Sequence, residues 1–297
     1  MATVSDDSRV GPASLAHAFW LSIARASASF TAARWRGVRF LAYHSVASED
    51  ELPGLSRRTL VLSEDGFRNH LAWIRRHGYV VVSMADARRL LRNGDAARAQ
   101  FVCLTFDDGR LDNFTVAWPL LQRAGYSAHF FVNSAVVGGS FEHPLEGGGV
   151  TRSGTERFMD AEALRAVVRE GGSIGSHAHH HTDLTTLGEP EILRELVESR
   201  RALEAWTGGP IDTHAYPYAQ YDARVLRATE AAGYTLAFNV NTGTVLAIGP
   251  HNRFALPRNV IRTGADNPDN YAIIRGGFDF TRFYTAARQR WKSGPAS

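Results

Sequence analysis

The sequence contains one cysteine among 297 residues, so no intrachain disulfide can form, and Cys103, inside the apolar run "FVCLTF", reads as a small buried hydrophobe. Redox compartment is left open. No stretch approaches the ~20 apolar residues that span a bilayer. No block of like charge occurs either: 33 Lys and Arg stand against 30 Asp and Glu, for a net charge of +3. The basic residues are scattered, and pairs such as Arg75-Arg76 and Arg88-Arg89 fall on expected helix surfaces. A nucleic-acid-binding stripe is therefore not expected. A convincing export signal is also missing. Within "ASLAHAFWLSIARASASFTAARWR", His17 and Arg25 interrupt the apolar run and Asp6 and Asp7 precede it, whereas a secretory signal needs a basic start and an unbroken apolar centre. Residues 13–33 read instead as an amphipathic helix that caps the domain or lies on a membrane surface, capping being favoured. The expected location is cytoplasmic or membrane-associated.

What is present is an ordered α/β chain, with 44% hydrophobic and 21% charged residues. From residue 38 onward, short apolar runs alternate with segments of helical period. The strand candidates are "VRFLAYH", "YVVVSM", "FVCLTF", "YSAHFFVN", "SIGSH", "IDTHAYPY", "YTLAFNVN" and "FALPRNVI". Between them lie helix candidates such as "SEDGFRNHLAWIRRHG", with Ser63 as cap, Phe67, Leu71 and Ile74 on one face, and Gly78 as stop. Others are "ADARRLLRNG", "LDNFTVAWPLLQRAG", "MDAEALRAVVREGG", "EPEILRELVESRRALEAWTG", "DARVLRATEAAG" and a last helix at "FTRFYTAARQRW". Residues 138–155 read as a polar, Gly-rich insertion. Strands apolar enough to be buried on both sides imply a parallel sheet, closed as a barrel or open and doubly wound. No boundary appears after residue 38, so residues 1–37 form an extension and residues 38–297 one domain.

In a parallel barrel the chemistry sits at the C-terminal ends of the strands. Those ends carry Tyr43-His44, Asp107-Asp108-Gly109, His177 to His181, Tyr216-Pro217-Tyr218, Asn239 and Asn241, with Arg258 in the last strand. Adjacent carboxylates in a low-dielectric site repel unless a cation lies between them, and the alternative is a plain Asp-Gly turn. A turn alone makes the gathering of carboxylates and imidazoles on one rim a coincidence. In "GSHAHHHTDL", His177 and His181 are four apart and would share one side of a helical turn, a spacing suited to a metal. His177 and His179 on an extended segment could also converge, and a polar loop or capped helix start is the alternative.

"TFDDG" followed by "HAHHH" resembles the first two motifs of the polysaccharide deacetylase family, carbohydrate esterase family 4, whose domain is called the NodB homology domain. "AYPYAQYD" is similar to the third motif, and "LAYHSV", "HLAWIRRHGYVVVSMADA" and "LPRNVI" look like the exopolysaccharide-deacetylase branch. The resemblance covers about residues 38–262. It implies a distorted, TIM-like (β/α) barrel of about seven parallel strands. It implies Asp108, His177 and His181 as ligands of a divalent metal, zinc first, with Asp107 as general base and the backbone N–H of Tyr218 as an oxyanion donor. The implied reaction is removal of N-acetyl groups from amino-sugar units of a polysaccharide or oligosaccharide.

Three departures from the family pattern stand out. Ala178 occupies the position of a small hydroxyl residue, and Ala215 that of an arginine that orients the base. Arg258 is expected to reach in from the last strand instead. The late Leu-x-His motif that supplies the acid is not visible, leaving His44, His214 and His251 as candidates, His44 ranked first. His129 is expected against the barrel wall, Trp73, Trp118 and Trp206 in the core, and Tyr216, Tyr218 and Tyr221 either against a sugar or in structural roles. An O-acetyl esterase, a small-amide hydrolase, a catalytically inactive carbohydrate-binding barrel and a membrane-surface adaptor are the alternatives.

Overall fold

A computed structural model describes residues 35–48, 60–145, 152–262, 268–277 and 279. The expected helices at 13–33 and "FTRFYTAARQRW" lie outside these residues. Twelve strands are described: β1 (Gly37–Tyr43), β2 (Ser45–Ala47), β3 (Val61–Ser63), β4 (Val80–Val81), β5 (Gln100–Phe106), β6 (His129–Val132), β7 (Ser140–Leu145), β8 (Arg152–Arg157), β9 (Ser173–Ser176), β10 (Thr213–Ala215), β11 (Leu236–Phe238) and β12 (Arg258–Val260). Seven of them form one parallel sheet in the order β11-β10-β9-β6-β5-β1-β12, and β4 pairs with the start of β5. A parallel bridge between Phe238 and Leu256 joins the two ends of that order, giving a nearly closed, distorted (β/α) barrel. This is the architecture the family resemblance implied, and the closed one of the two that the strand pattern left open.

The helices α1 (Glu64–Arg76), α2 (Met84–Asn93), α3 (Trp118–Ala124), α4 (Ala161–Arg169), α5 (Glu189–Thr207), α6 (Ala223–Ala231) and α7 (Pro268–Arg275) accompany the sheet. Their starts follow local chemistry. Ser63, Ser83, Asp160 and Asp222 each accept a backbone N–H of the first turn of α1, α2, α4 and α6. Gly94, Gly125 and Gly208 end α2, α3 and α5 in the left-handed conformation.

Strand periodicity divides the core in two. Leu41, Tyr43, Val102, Leu104, Phe106, Phe130 and Val132 belong to the larger cluster, with helix residues such as Phe67, Trp118 and Leu164. The alternate residues Phe40, Cys103, Phe131 and Phe238 form a second cluster, in which the Phe238 ring lies 4.9 Å from Phe40 and 5.5 Å from Phe131. Trp73 and Trp118 are buried and Trp206 packs against the larger cluster, as expected of core residues.

Three local expectations are corrected. "YVVVSM" gives only the two-residue β4, because Ser83 is taken as the cap of α2. "LDNFTVAWPLLQRAG" is not one α-helix: residues 113–117 form a π-helical turn, and α3 follows with Pro119 in its first turn, where no N–H is needed. Within the insertion, β7 and β8 pair as an antiparallel hairpin, with Phe141 opposite Glu156. No helix among the described residues is long and apolar enough to cross a membrane.

Phe106 links the barrel to the helices, its ring stacked 5.1 Å from both Tyr43 and Phe130. Phe106→Ala should destabilise the fold by ~3–5 kcal/mol, the range for deleting a buried aromatic ring. Urea denaturation checks this, and an unchanged midpoint would contradict it.

Candidate active site

Asp107 follows β5 in the phase that points Cys103 and Thr105 into the barrel, and it is 2% exposed. Arg258 of β12, fully buried, meets it with both terminal nitrogens: Nη1 donates to Oδ1, and Nη2 donates to Oδ2 at 2.8 Å. The rest of the guanidinium is held by the Asn239 carbonyl at 3.3 Å from Nε and by Thr105 Oγ1 at 3.3 Å from Nη1. Its carbon lies 4.9 Å from the centroid of the Phe131 ring. Burial by itself would raise the Asp107 pKa, but Arg258, then His177 and His44, outweigh it and hold the carboxyl well below the usual carboxylate range. Arg258 therefore does reach in from the last strand, while Ala215 lies buried in the inner cluster.

Asp108 turns the other way because its backbone is left-handed, at φ 73°, followed by Gly109 at φ 70°. A Cβ on Gly109 would come within 2.9 Å of Val132 Cγ1, so glycine is required there on both counts. Asp108 Oδ1 lies 3.7 Å from His177 Nε2 and 3.5 Å from His181 Nε2. Asp108, His177 and His181 each offer a ligand atom, all within 4.8 Å of one another. A tetrahedral ion with ~2.0–2.1 Å bonds separates its ligand atoms by roughly 3.3–3.5 Å. The set fits a divalent metal of the zinc type.

The surroundings support that fit. His177 Nδ1 donates to the Ala215 carbonyl at 2.7 Å, which fixes the tautomer and leaves Nε2 as the ligand atom. For His181, burial and then the neighbouring His177 lower the pKa, favouring the neutral ring that ligates metals. Burial raises the Asp108 pKa, but His44, His177, Arg110 and His181 together bring it below the ordinary value.

His177 and His181 do not share a helical turn. The chain between them is a loop that passes through left-handed conformations at Ala178 (φ 65°) and His181 (φ 56°), and such positions cost ~1–3 kcal/mol each. His179 and His180 point elsewhere: His179 Nδ1 lies 2.7 Å from Ser134 Oγ, and His180 Nδ1 lies 2.6 Å from Glu195 Oε1. Of the four histidines, the fold brings two together on Asp108.

His44 stands beside the pair, its Nε2 3.9 Å from Asp107 Oδ2 and its Nδ1 without a hydrogen-bond partner among the described residues. Asn113, buried in the π-helical turn, donates its Nδ2 to the His44 carbonyl at 2.6 Å. The other two acid candidates are elsewhere. His214 is fully buried with Nδ1 3.3 Å from Ser176 Oγ, and its pKa is driven well down by burial; His251 is exposed in the turn at 249–254. His129 is not merely packed: its ring bridges Ser173 Oγ at 2.7 Å and Thr213 Oγ1 at 2.9 Å, and burial takes its pKa down to about 3.

The three tyrosines separate. Tyr216 is buried and donates its hydroxyl to the Phe254 carbonyl, and Tyr221 stacks on it with ring centroids 5.0 Å apart, so these two are structural. Tyr218 is 64% exposed in the left-handed conformation, its ring 4.8 Å from that of His181. Asn239 holds the backbone of this rim, accepting from the Asn241 N–H and donating to the Tyr221 hydroxyl.

Arg110 was not anticipated from sequence. Its Nε lies 3.4 Å from Asp108 Oδ2 and its Nη2 3.0 Å from Glu156 Oε2 of the hairpin. Its position two residues after Asp108 was the available signal. Glu156 carried none, because hairpin pairing places it there.

A family model described as polysaccharide deacetylase matches residues 94–237. YxkH of Bacillus subtilis (strain 168), named as a polysaccharide deacetylase, is 25% identical over 203 residues, which cover 68% of this chain and 64% of that protein. The poly-beta-1,6-N-acetyl-D-glucosamine N-deacetylase of Escherichia coli (strain K12) is 35% identical over 82 residues, 28% of this chain and 12% of that protein. These matches span less than two thirds of either relative. Among solved structures, the Streptococcus pyogenes deacetylase PplD superposes with a TM-score of 0.64 at 23% identity, covering 79% of this chain and 96% of that one. That likeness shows a shared fold.

Removing Arg258 leaves a buried carboxylate without its partner, and Arg258→Met should cost ~3–5 kcal/mol at pH 7. The sign follows from the lowered Asp107 pKa. The pairing stabilises the fold above the ordinary carboxylate pKa of ~3.9, and that stability is lost as pH falls through the lower folded value. In the variant, burial is no longer outweighed by Arg258 and lifts the Asp107 pKa, so the carboxyl takes up a proton before the wild-type pairing is lost. The deficit should therefore narrow in acid, and Asp107→Asn in the same chain should recover part of it. Denaturation midpoints at pH 7 and near pH 4 check both, and a deficit that widens in acid would contradict the assignment.

Proposed function

With residues 94–237 belonging to the polysaccharide deacetylase family, we propose that this chain hydrolyses the N-acetyl groups of amino-sugar units in a polysaccharide or oligosaccharide, releasing acetate and a free amine. The observation that carries the reading is the division of the two aspartates, one facing two imidazoles and the other paired to Arg258. We assign residues 38–297 as the catalytic unit. Asp108, His177 and His181 would hold a divalent metal, zinc by the chemistry of the donor set. When bound there, such an ion polarises the acetyl carbonyl and lowers the pKa of water from 15.7 to ~7.

Asp107 is the general base in this reading. The Arg258 pair keeps it ionised at working pH and fixes its plane, so it stands ready to accept a proton from the attacking water. The same pair makes it a weak base, which favours passing the proton on. His44, whose Nε2 lies 3.9 Å from Asp107 Oδ2, would receive it through one water and protonate the departing amine. The backbone N–H of Tyr218 serves the developing oxyanion, and such a donor is worth ~3–4 kcal/mol of barrier. The exposed Tyr218 ring offers a face to a sugar. A pure binding protein needs no general base, and Asp107 is retained.

The substrate class rests on the Escherichia coli relative, whose name specifies an N-acetylglucosamine polymer. Acetate release from N-acetylglucosamine oligomers should be metal-dependent, stop with chelator, and fall by roughly 10²–10⁴ in Asp107→Asn, the usual contribution of a positioned base. Release from O-acetylated sugars alone would replace the amide with an ester. No metal-dependent release from any acetylated glycan, or an undiminished Asp107→Asn rate, would overturn the proposal.

A further inference from the structure

His177 and His181 are separated by three residues that no regular element holds, and both the first of these, Ala178, and His181 itself have left-handed backbones. A loop of this kind needs external ties to keep two imidazoles on one point. Some come from the 3₁₀ turn at 134–136: the Ala135 N–H donates to the His179 carbonyl at 2.9 Å, and Ser134 Oγ meets His179 Nδ1. The Ala178 N–H donates to Ser176 Oγ at 3.2 Å. The densest tie is Glu195, on α5 and only 9% exposed. Its Oε2 accepts the backbone N–H groups of both His179, at 3.1 Å, and His180, at 2.9 Å. Its Oε1 lies 2.6 Å from His180 Nδ1.

Both oxygens of one buried carboxylate are thus spent on the two residues midway between the ligand histidines. We propose that Glu195 is a positioning residue for the metal site: it clamps the 177–181 loop to α5 and thereby sets the spacing of His177 and His181. The inference rests on the reading of Asp108, His177 and His181 as metal ligands. Glu195 itself touches neither substrate nor ion. It also gives His180, which the metal does not use, a role, since its Nδ1 meets Glu195 Oε1. Partners that orient metal ligands typically change affinity by ~10- to 100-fold when removed.

Zn²⁺ affinity, measured on the full chain by competition with a chromophoric chelator, tests the clamp directly. Glu195→Ala should bind Zn²⁺ ~10- to 100-fold more weakly than wild type, and the visible spectrum of its Co²⁺ form should change. Glu195→Gln keeps one oxygen for the backbone N–H groups and should lose less affinity in the same direction, which serves if the alanine variant does not fold. His180→Ala, which removes only the side-chain contact, should lose less than Glu195→Ala. A folded Glu195→Ala or Glu195→Gln with wild-type Zn²⁺ affinity and an unchanged Co²⁺ spectrum would overturn the clamp and leave the metal site standing. Wild-type protein that binds neither ion would overturn the metal site, and the clamp with it.

Discussion

Arg258 decides what two neighbouring carboxylates do. Asp107 and Asp108 are adjacent in the chain and both lie beside His44 and His177, so without an internal cation they would compete for the same charges and raise each other's pKa. By taking both oxygens of Asp107, the guanidinium satisfies that charge inside the barrel. Asp108 is then left to face the two imidazoles. A buried arginine is itself costly unless every donor finds a partner. Here Thr105, the Asn239 carbonyl and the Phe131 ring complete its surroundings. The pair is consequently part of the barrel core as much as part of the site.

The fold delivers these groups through strand phase and two left-handed turns. The alternation that points Cys103 and Thr105 inward continues to Asp107, while the left-handed backbone at Asp108 and Gly109 rotates the next carboxylate away. Ser173 to Ser176 of β9 end beside β6, and the His177 N–H continues that pairing by donating to the Val132 carbonyl. His177 is thereby fixed by the sheet, whereas His181 depends on the loop. The two ligands differ in how firmly they are held, and the Glu195 contacts lie on the less regular side.

Much of this was legible in the sequence because it follows from short-range rules. Seven of the eight apolar runs read as strands lie in the barrel order, and Ser63 marked the start of α1 through the oxygen it offers to a free N–H group. The rim position of both motifs suggested that a carboxylate meets imidazoles, and the family resemblance implied that they are Asp108, His177 and His181. What escaped was set by tertiary contact. The helical turn expected for His177 and His181 is absent because positive φ at Ala178 leaves no helix, and an alanine gives no warning of that conformation. Whether Tyr216 and Tyr221 meet a sugar or serve the structure was open in the sequence, and their packing against each other gives them the structural role. Glu195, Arg110 and Asn113 act through contacts with no fixed spacing, so no pattern in the chain announces them.

The proposed chemistry requires one ion gripped by Asp108, His177 and His181, with Asp107 outside its ligand set. Metal content of the purified protein, determined for wild type, His177→Ala and Asp107→Asn after loading with Zn²⁺ and removal of excess, tests this most directly. Wild type and Asp107→Asn should each hold about one ion per chain, and His177→Ala should lose its bound zinc. Full zinc content in His177→Ala, or its loss in Asp107→Asn alone, would contradict it.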